Sequence, residues 1–227
     1  MSIHNNLEKY QEILKKYEAS LIAVSKTKPK ADLLQAYEAG QREFGENKVQ
    51  ELADKAQTLP QDINWHMIGH LQRNKVKYIA PFIKLIHSVD SVRLLKEINK
   101  QALKNDRVID CLLQVYIAKE ETKFGFSELE LKEYLLSEAF GELQNIRITG
   151  LMGMATNTSN QNQIRAEFKH LKSISEELKV ELGSDVVTLT ELSMGMTSDY
   201  QIALEEGSTM VRIGSAIFGA RNYNPEV

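Results

Sequence analysis

Cysteine is nearly absent from this chain. Cys111 is the only one in 227 residues, which excludes an internal disulfide. It lies in the apolar stretch Cys111-Leu112-Leu113-Gln114-Val115 and reads as a small core residue. No apolar run is long enough to span a bilayer, so no membrane partner is expected. Neither sign of charge dominates: 28 basic and 31 acidic side chains leave a net charge of -3. That balance gives no electrostatic case for a nucleic-acid partner. Prolines number only four, and they fall with the glycines at element ends, so no linker or composition break divides the chain. One domain over residues 1–227 is the economical reading, and that length suffices for a sizeable core. The start, Met1-Ser2-Ile3-His4-Asn5-Asn6, has neither a basic nor an apolar region of the kind that directs secretion, so a cytoplasmic location is expected.

What the chain has is alternation. Leu7, Tyr10, Ile13, Leu14 and Tyr17 recur at helical spacing and predict a helix ahead of the first strand. Short apolar runs then predict strands near 21–25, 42–45, 65–68, 84–87, 111–116, 147–151, 188–192 and 210–213. Amphipathic stretches predict helices near 31–39, 47–57, 71–79, 91–104, 128–138, 160–181, 197–206 and 215–218. Pro29 precedes the first turn of the 31–39 helix and Gly40 closes it. Ser127 and Glu130 form a capping-box pattern, and Gly183 stands where the 160–181 helix should stop. Eight strand–helix units imply an α/β fold with a parallel sheet, and the expectation is a single-domain closed (β/α)8 TIM barrel with an extra N-terminal helix. A doubly wound open sheet is the alternative that periodicity leaves standing.

Chemistry in such a barrel collects where the strands end. Lys26 ends the run Leu21-Ile22-Ala23-Val24-Ser25-Lys26, before Thr27-Lys28-Pro29 breaks it. A lysine at a buried strand's carboxyl end is poorly solvated, desolvation lowers its pKa, and a neutral amine attacks aldehydes to give Schiff bases. It can also simply snorkel to water. Other polar motifs fall at the same end: Phe44-Gly45-Glu46-Asn47, Trp65-His66-Met67-Ile68-Gly69-His70-Leu71-Gln72, and His87-Ser88-Val89-Asp90. Asn47 either caps the next helix or faces a ligand. His66, two before Ile68, reads as an alternating strand residue with a satisfied ring; His70 caps a helix or meets solvent. Asp90 reads as the cap of the helix starting near Ser91, and Lys123 as a loop charge near the fifth strand's mouth. The histidines lack a cysteine or carboxylate set at metal spacing, so no metal site is expected.

The last two strand ends carry most. Ser193-Met194-Gly195-Met196-Thr197-Ser198-Asp199 supplies hydroxyls and a glycine before a helix, and Met210-Val211-Arg212-Ile213-Gly214-Ser215 ends a strand in Gly-Ser. Free amides at a helix start favour an anion, and barrels often hold phosphate after strands seven and eight. Gly214 and Ser215, with Ser193 across from them, are the phosphate candidates; ordinary turn and cap chemistry is the competing reading. Arg212, inside the last strand, needs a partner. Glu191 is one candidate, and a ligand's ring nitrogen is the other.

Taken together these segments, with Ala23 to Pro29, Gln72-Arg73-Asn74-Lys75, Gly150-Leu151-Met152 and Gly207 to Gly219, resemble the pyridoxal phosphate homeostasis protein family. The resemblance runs from about Leu21 to Tyr223. It implies a fold like the alanine racemase barrel domain without that enzyme's second, β-rich domain. It implies pyridoxal 5'-phosphate as cofactor, Lys26 as its Schiff-base lysine and Asn47 beside its ring. Ser193, Gly214 and Ser215 would hold the phosphate, and Arg212 would face the ring nitrogen. One departure is Lys48, where tyrosine is common in relatives; it concerns only the rim of the site.

The function so implied is a non-catalytic carrier that holds the cofactor reversibly, serves intracellular vitamin B6 homeostasis and influences amino-acid metabolism. A pyridoxal-phosphate-dependent racemase or weak transaminase is the alternative, and a Schiff-base aldolase acting on a phosphosugar is a third. Two-way racemisation needs bases on both cofactor faces. The active family relative draws its second base, a tyrosine, from a partner subunit's extra domain, and a chain ending at Val227 has none. Expected partners are the cofactor and, transiently, apoenzymes that use it, and a monomer is the expected assembly.

Overall fold

The computed structural model describes residues 2–118, 125–182 and 184–220. Eight parallel strands close into one barrel in sequence order, β1 (Ser20–Val24), β2 (Glu43–Glu46), β3 (Asn64–Met67), β4 (Leu85–Val89), β5 (Ile109–Gln114), β6 (Ile146–Met152), β7 (Val187–Met196) and β8 (Met210–Ile213). Closure comes from β8 lying beside β1, with Ser20 opposite Met210 and Ala23 opposite Ile213. The expected closed barrel therefore holds, and the open sheet is excluded.

Helices α1 (Ile3–Lys15), α2 (Lys30–Glu38), α3 (Val49–Thr58), α4 (Val76–Ile79) and α5 (Val92–Lys104) accompany the first half. Helices α6 (Glu128–Leu135), α7 (Glu138–Gly141), α8 (Gln161–Leu182), α9 (Tyr200–Glu205) and α10 (Ser215–Phe218) accompany the second. The extra helix α1 starts where the Ser2 hydroxyl accepts from the Asn5 amide at 3.2 Å. It buries Leu7, Tyr10 and Leu14, and Tyr10 meets the Tyr200 ring edge-on at 5.4 Å. Gly40 ends α2 at φ 92°, as expected, and Ser127 with Glu130 forms the full capping box of α6. Gly183 and Lys123 lie outside the described residues.

Strand alternation splits the interior into two layers. Outward-facing Phe44, Trp65, Met67, Ile86 and Leu113 pack with helix residues such as Leu52, Leu95 and Phe168 in one large buried cluster. Cys111 belongs to it, and burial pushes its thiol far up, as befits an inert core residue. Inside the barrel a separate small cluster holds only Leu85, Leu112 and Met152, with Met210 against it.

Several boundaries differ from expectation. Strand β7 runs on to Met196, where Met196 still pairs with Arg212 across a register shift. Gly195 permits this, with φ 91° and a hypothetical Cβ only 2.5 Å from the Ala203 methyl. Ser193 is consequently on the strand and not in the loop after it. The helix expected near 71–79 is a 3₁₀ turn, Arg73–Lys75, followed by α4, and Pro81 stands just beyond. The helix expected near 128–138 divides into α6 and α7, with Ser137 between them at extended backbone angles. Asp90 does not cap α5; the Ser91 hydroxyl does, accepting from the Leu94 amide, while Asp90 pairs with His70. Among the described residues, no helix is long and apolar enough to cross a membrane, and no cluster of side chains could hold a metal ion.

Candidate functional site

Lys26 stands two residues beyond β1, half-buried, on a turn whose next residue, Thr27, has φ 63°. A buried ionic cluster fastens that turn on both sides. The Ser25 hydroxyl donates to Glu46 Oε1 at 2.6 Å, and Lys55 Nζ donates to the Ser25 carbonyl and to Glu46 Oε1, both at 2.8 Å. Lys55 Nζ also reaches Glu51 Oε1 at 2.7 Å, and the same oxygen accepts from the Thr27 amide at 2.6 Å. Burial lifts the Glu46 carboxyl above its ordinary range, against the pull of Lys55 and Ser25. A pair this buried contributes little net stability, but it fixes geometry, and removing one partner is costly. Here it fixes the backbone on either side of Lys26.

The Lys26 side chain lines a cavity of about 560 Å³ at the carboxyl ends of the strands. Asn47, Arg212, Gly214 and Ser215 line the same cavity, so five of the six residues singled out in the sequence meet there. Asn47 does not cap α3; Lys48 takes that position, and Asn47 Oδ1 is buried with no hydrogen-bond partner among the described residues. Gly214 passes close to the end of β1, where a Cβ would lie 3.0 Å from the Val24 carbonyl oxygen. Val24, Ile68, Met154 and Met196 supply apolar wall.

The sequence reading missed three polar residues of this wall. Thr197 and Ser198 occupy the rim where Ser193 was expected, because β7 carries Ser193 deeper into the barrel. Lys28 is the third, and its ammonium donates to the carbonyls of Phe218, Gly219 and Ala220 at 2.9–3.0 Å. Its three protons are thereby used to hold the chain after α10. The hydroxyls of Thr197-Ser198 were visible before a helix; what hid their place was the extra length of the strand.

Arg212 forms part of the cavity floor and is itself almost wholly buried. It donates to the Ser193 carbonyl at 2.7 Å, the Ser193 hydroxyl at 2.5 Å and the Gly153 carbonyl at 3.1 Å. Three of the five guanidinium N–H groups are so used, and the group still faces the cavity. Burial brings its pKa down to about 10, with Asp199 opposing, so it stays charged at neutral pH. The partner suggested by sequence, Glu191, is elsewhere: it accepts from the Thr209 hydroxyl at 2.6 Å.

Ser193 is fully buried and does not line the cavity; its hydroxyl lies 2.8 Å from His87 Nδ1. His87 Nε2 lies 2.8 Å from His66 Nδ1, and His66 Nε2 lies 2.6 Å from Glu43 Oε2. The expectation of a satisfied ring at His66 therefore holds. Burial, then the charges of His66 and Arg212, hold the His87 ring well below the usual imidazole range, so it is neutral. Burial raises the Glu43 carboxyl, but its bonds from His66 and Asn64 and the charge of Lys84 outweigh this and bring it below its ordinary value. His70 belongs to none of this. It pairs with Asp90 at 3.0 Å beside a separate groove.

The chain is similar to known proteins along most of its length. Residues 1–222 match the family described as alanine racemase, N-terminal domain. The pyridoxal phosphate homeostasis protein of Aquifex aeolicus is 43% identical over 206 residues, which is 90% of this chain and 88% of the relative. PipY of Synechococcus elongatus PCC7942, solved without PLP, superposes with a TM-score of 0.89 at 36% identity, covering 96% of this chain and 100% of PipY. The structure of PipY with PLP bound superposes at 0.86 with 35% identity, covering the same shares of both chains.

Proposed function

The chain belongs to the pyridoxal phosphate homeostasis protein family, built on the alanine racemase N-terminal-domain fold, and from that premise we propose that its barrel mouth holds pyridoxal 5'-phosphate on Lys26 as a carrier. One observation carries the reading: Lys26, Arg212 and the Gly214-Ser215 turn, three groups suited to the three ends of that cofactor, line a single cavity. The cofactor supplies an electrophilic aldehyde and a ring that draws electrons toward its nitrogen.

Lys26 is the covalent anchor, its amine attacking the aldehyde carbon with loss of water. Arg212, charged and donor-only, gives a hydrogen bond to the bare ring nitrogen and disfavours its protonation. That makes the ring a weaker electron sink than a carboxylate partner would. Asn47, with its unsatisfied amide oxygen, has hydrogen-bonding capacity to offer a ring substituent. Gly214 and Ser215 take the phosphate from one side through the amides at the start of α10, and Thr197 and Ser198 take it from the other through their hydroxyls. Ser193 serves from below, by holding Arg212.

The lining also supports a carrier over a racemase. Among the described residues of the cavity wall, no tyrosine, histidine or carboxylate stands as a second base, and the Lys28 ammonium is spent on three carbonyls. The carrier acts by limiting the free aldehyde and releasing the cofactor to apoenzymes, as a soluble cytoplasmic monomer. Absorption spectroscopy tests the anchor. The native protein should acquire a visible band with pyridoxal phosphate and Lys26→Ala should not; a normal band in the variant refutes the assignment. Assays of loaded protein with amino acids test the carrier role, which sustained racemisation or transamination would overturn.

A further inference from the structure

A continuous line of polar side chains runs through the barrel, from the amino-terminal end of β2 to the cavity floor. We infer that Glu43, His66, His87 and Ser193 form a one-directional hydrogen-bond chain that sets the orientation of the Arg212 guanidinium, making Glu43, His66 and His87 positioning residues for the group that meets the ligand. Four links compose it. Arg212 NH1 donates to Ser193 Oγ at 2.5 Å, Ser193 Oγ and His87 Nδ1 are 2.8 Å apart, the two imidazoles are 2.8 Å apart, and His66 Nε2 is 2.6 Å from Glu43 Oε2.

The two ends decide the direction. An arginine can only donate and an ionised carboxylate can only accept. At the amino-terminal end of β2, Glu43 therefore requires the proton on His66 Nε2. His66 Nδ1, 2.8 Å from His87 Nε2, is then the acceptor of that pair. That leaves His87 Nδ1 bare to accept from the Ser193 hydroxyl, whose oxygen accepts from Arg212. Starting from Arg212 gives the same pattern, because the Ser193 proton, fully buried, has His87 Nδ1 as its acceptor. Both ends thus select one arrangement, and every side-chain polar atom from Glu43 to Ser193 has a partner.

Its surroundings make this arrangement stiff. His66, His87 and Ser193 are buried, so no water competes within the line, while the Glu43 side chain is a third exposed and is steadied by Asn64 at 2.6 Å. A neutral His87 beside Arg212 follows independently from its depressed pKa. The inference rests on the proposed cofactor reading only in what Arg212 meets; the chain itself does not.

Nitrogen-15 NMR of the ligand-free native protein tests the direction first. The five histidines of the sequence allow assignment by single substitution. His66 and His87 should each show a protonated Nε2 and a bare Nδ1 at neutral pH; a protonated Nδ1 on His87 would overturn the inference. Glu43→Lys then replaces an acceptor-only end by a donor-only one, and Glu43→Gln keeps an acceptor. The first should exchange the protonated nitrogens on both rings and shift the visible band of pyridoxal phosphate bound on Lys26, while the second leaves both as in the native protein. A folded Glu43→Lys variant with unchanged rings, or with changed rings and an unmoved band, overturns the coupling to Arg212. Native tautomers as expected with no band in the native protein would instead sink the cofactor reading and leave the chain standing.

Discussion

The outer face of the barrel wall buries Phe44, Trp65, Met67 and Ile86 against the helices, in a cluster continuous around the molecule. Its inner face has a much smaller apolar cluster, Leu85, Leu112 and Met152 with Met210 beside them. Glu43, His66, His87, Ser193 and Arg212 share that space, each bonded to the next. Burying polar groups is neutral at best even when they are satisfied. The outer layer therefore carries the stability, and the lumen gives up packing for a fixed arginine. One buried ionic cluster, Lys55 with Glu46 and Glu51, interrupts the outer layer, and it sits directly behind Lys26.

The contrast is sharpest in stability. Phe168→Ala, on α8 in the outer layer, should cost about 3–5 kcal/mol in urea denaturation and leave the spectrum of bound cofactor unchanged per folded molecule. A spectrum that moved with this substitution would erase the division between layers. Lys55→Met should cost about 3 kcal/mol at neutral pH by stranding Glu46, and should also lower the yield of adduct on Lys26. Burial already raises the Glu46 carboxyl, so the charge is what becomes costly; the deficit should shrink as pH falls toward the ordinary carboxylate value of 4.5.

His87 bears on the lumen through pH. Its ring is depressed from the ordinary 6.5, so below that pH the unfolded chain takes up a proton the folded one refuses. Stability is full above pH 6.5 and falls below it, with a slope approaching about 1.4 kcal/mol per pH unit. His87→Gln should remove that share of the slope, and equal slopes in variant and native protein would contradict a neutral buried ring. The smallest effect expected is that of Ser127→Ala, which deletes the α6 cap far from the lumen. It should cost about 1 kcal/mol in thermal or urea melts, with cofactor binding untouched.

Much of this architecture was legible in the chain. Regular alternation of apolar runs and amphipathic stretches marked all eight strands, because in a parallel barrel each strand is buried and each helix has a dry face. Lys26, Asn47, Arg212, Gly214 and Ser215 stood at strand ends, where a barrel must place its chemistry. The misplaced residue was Ser193, since a strand prolonged through Gly195 looks in sequence like a strand that has ended. Of the two partners the sequence offered for Arg212, Glu191 is not one; within the protein it donates to Ser193 and the Gly153 carbonyl. The lumen chain could not be read at all. His87 and Ser193 are separated by 106 positions, and only closure of the barrel brings them together.

The most direct measurement is to load the purified protein with pyridoxal phosphate, reduce it with borohydride and map the product by mass spectrometry. The account predicts a pyridoxyl phosphate adduct on the peptide bearing Lys26 and disappearance of the visible band. An adduct on Lys28 or another lysine, or none at all, would contradict it.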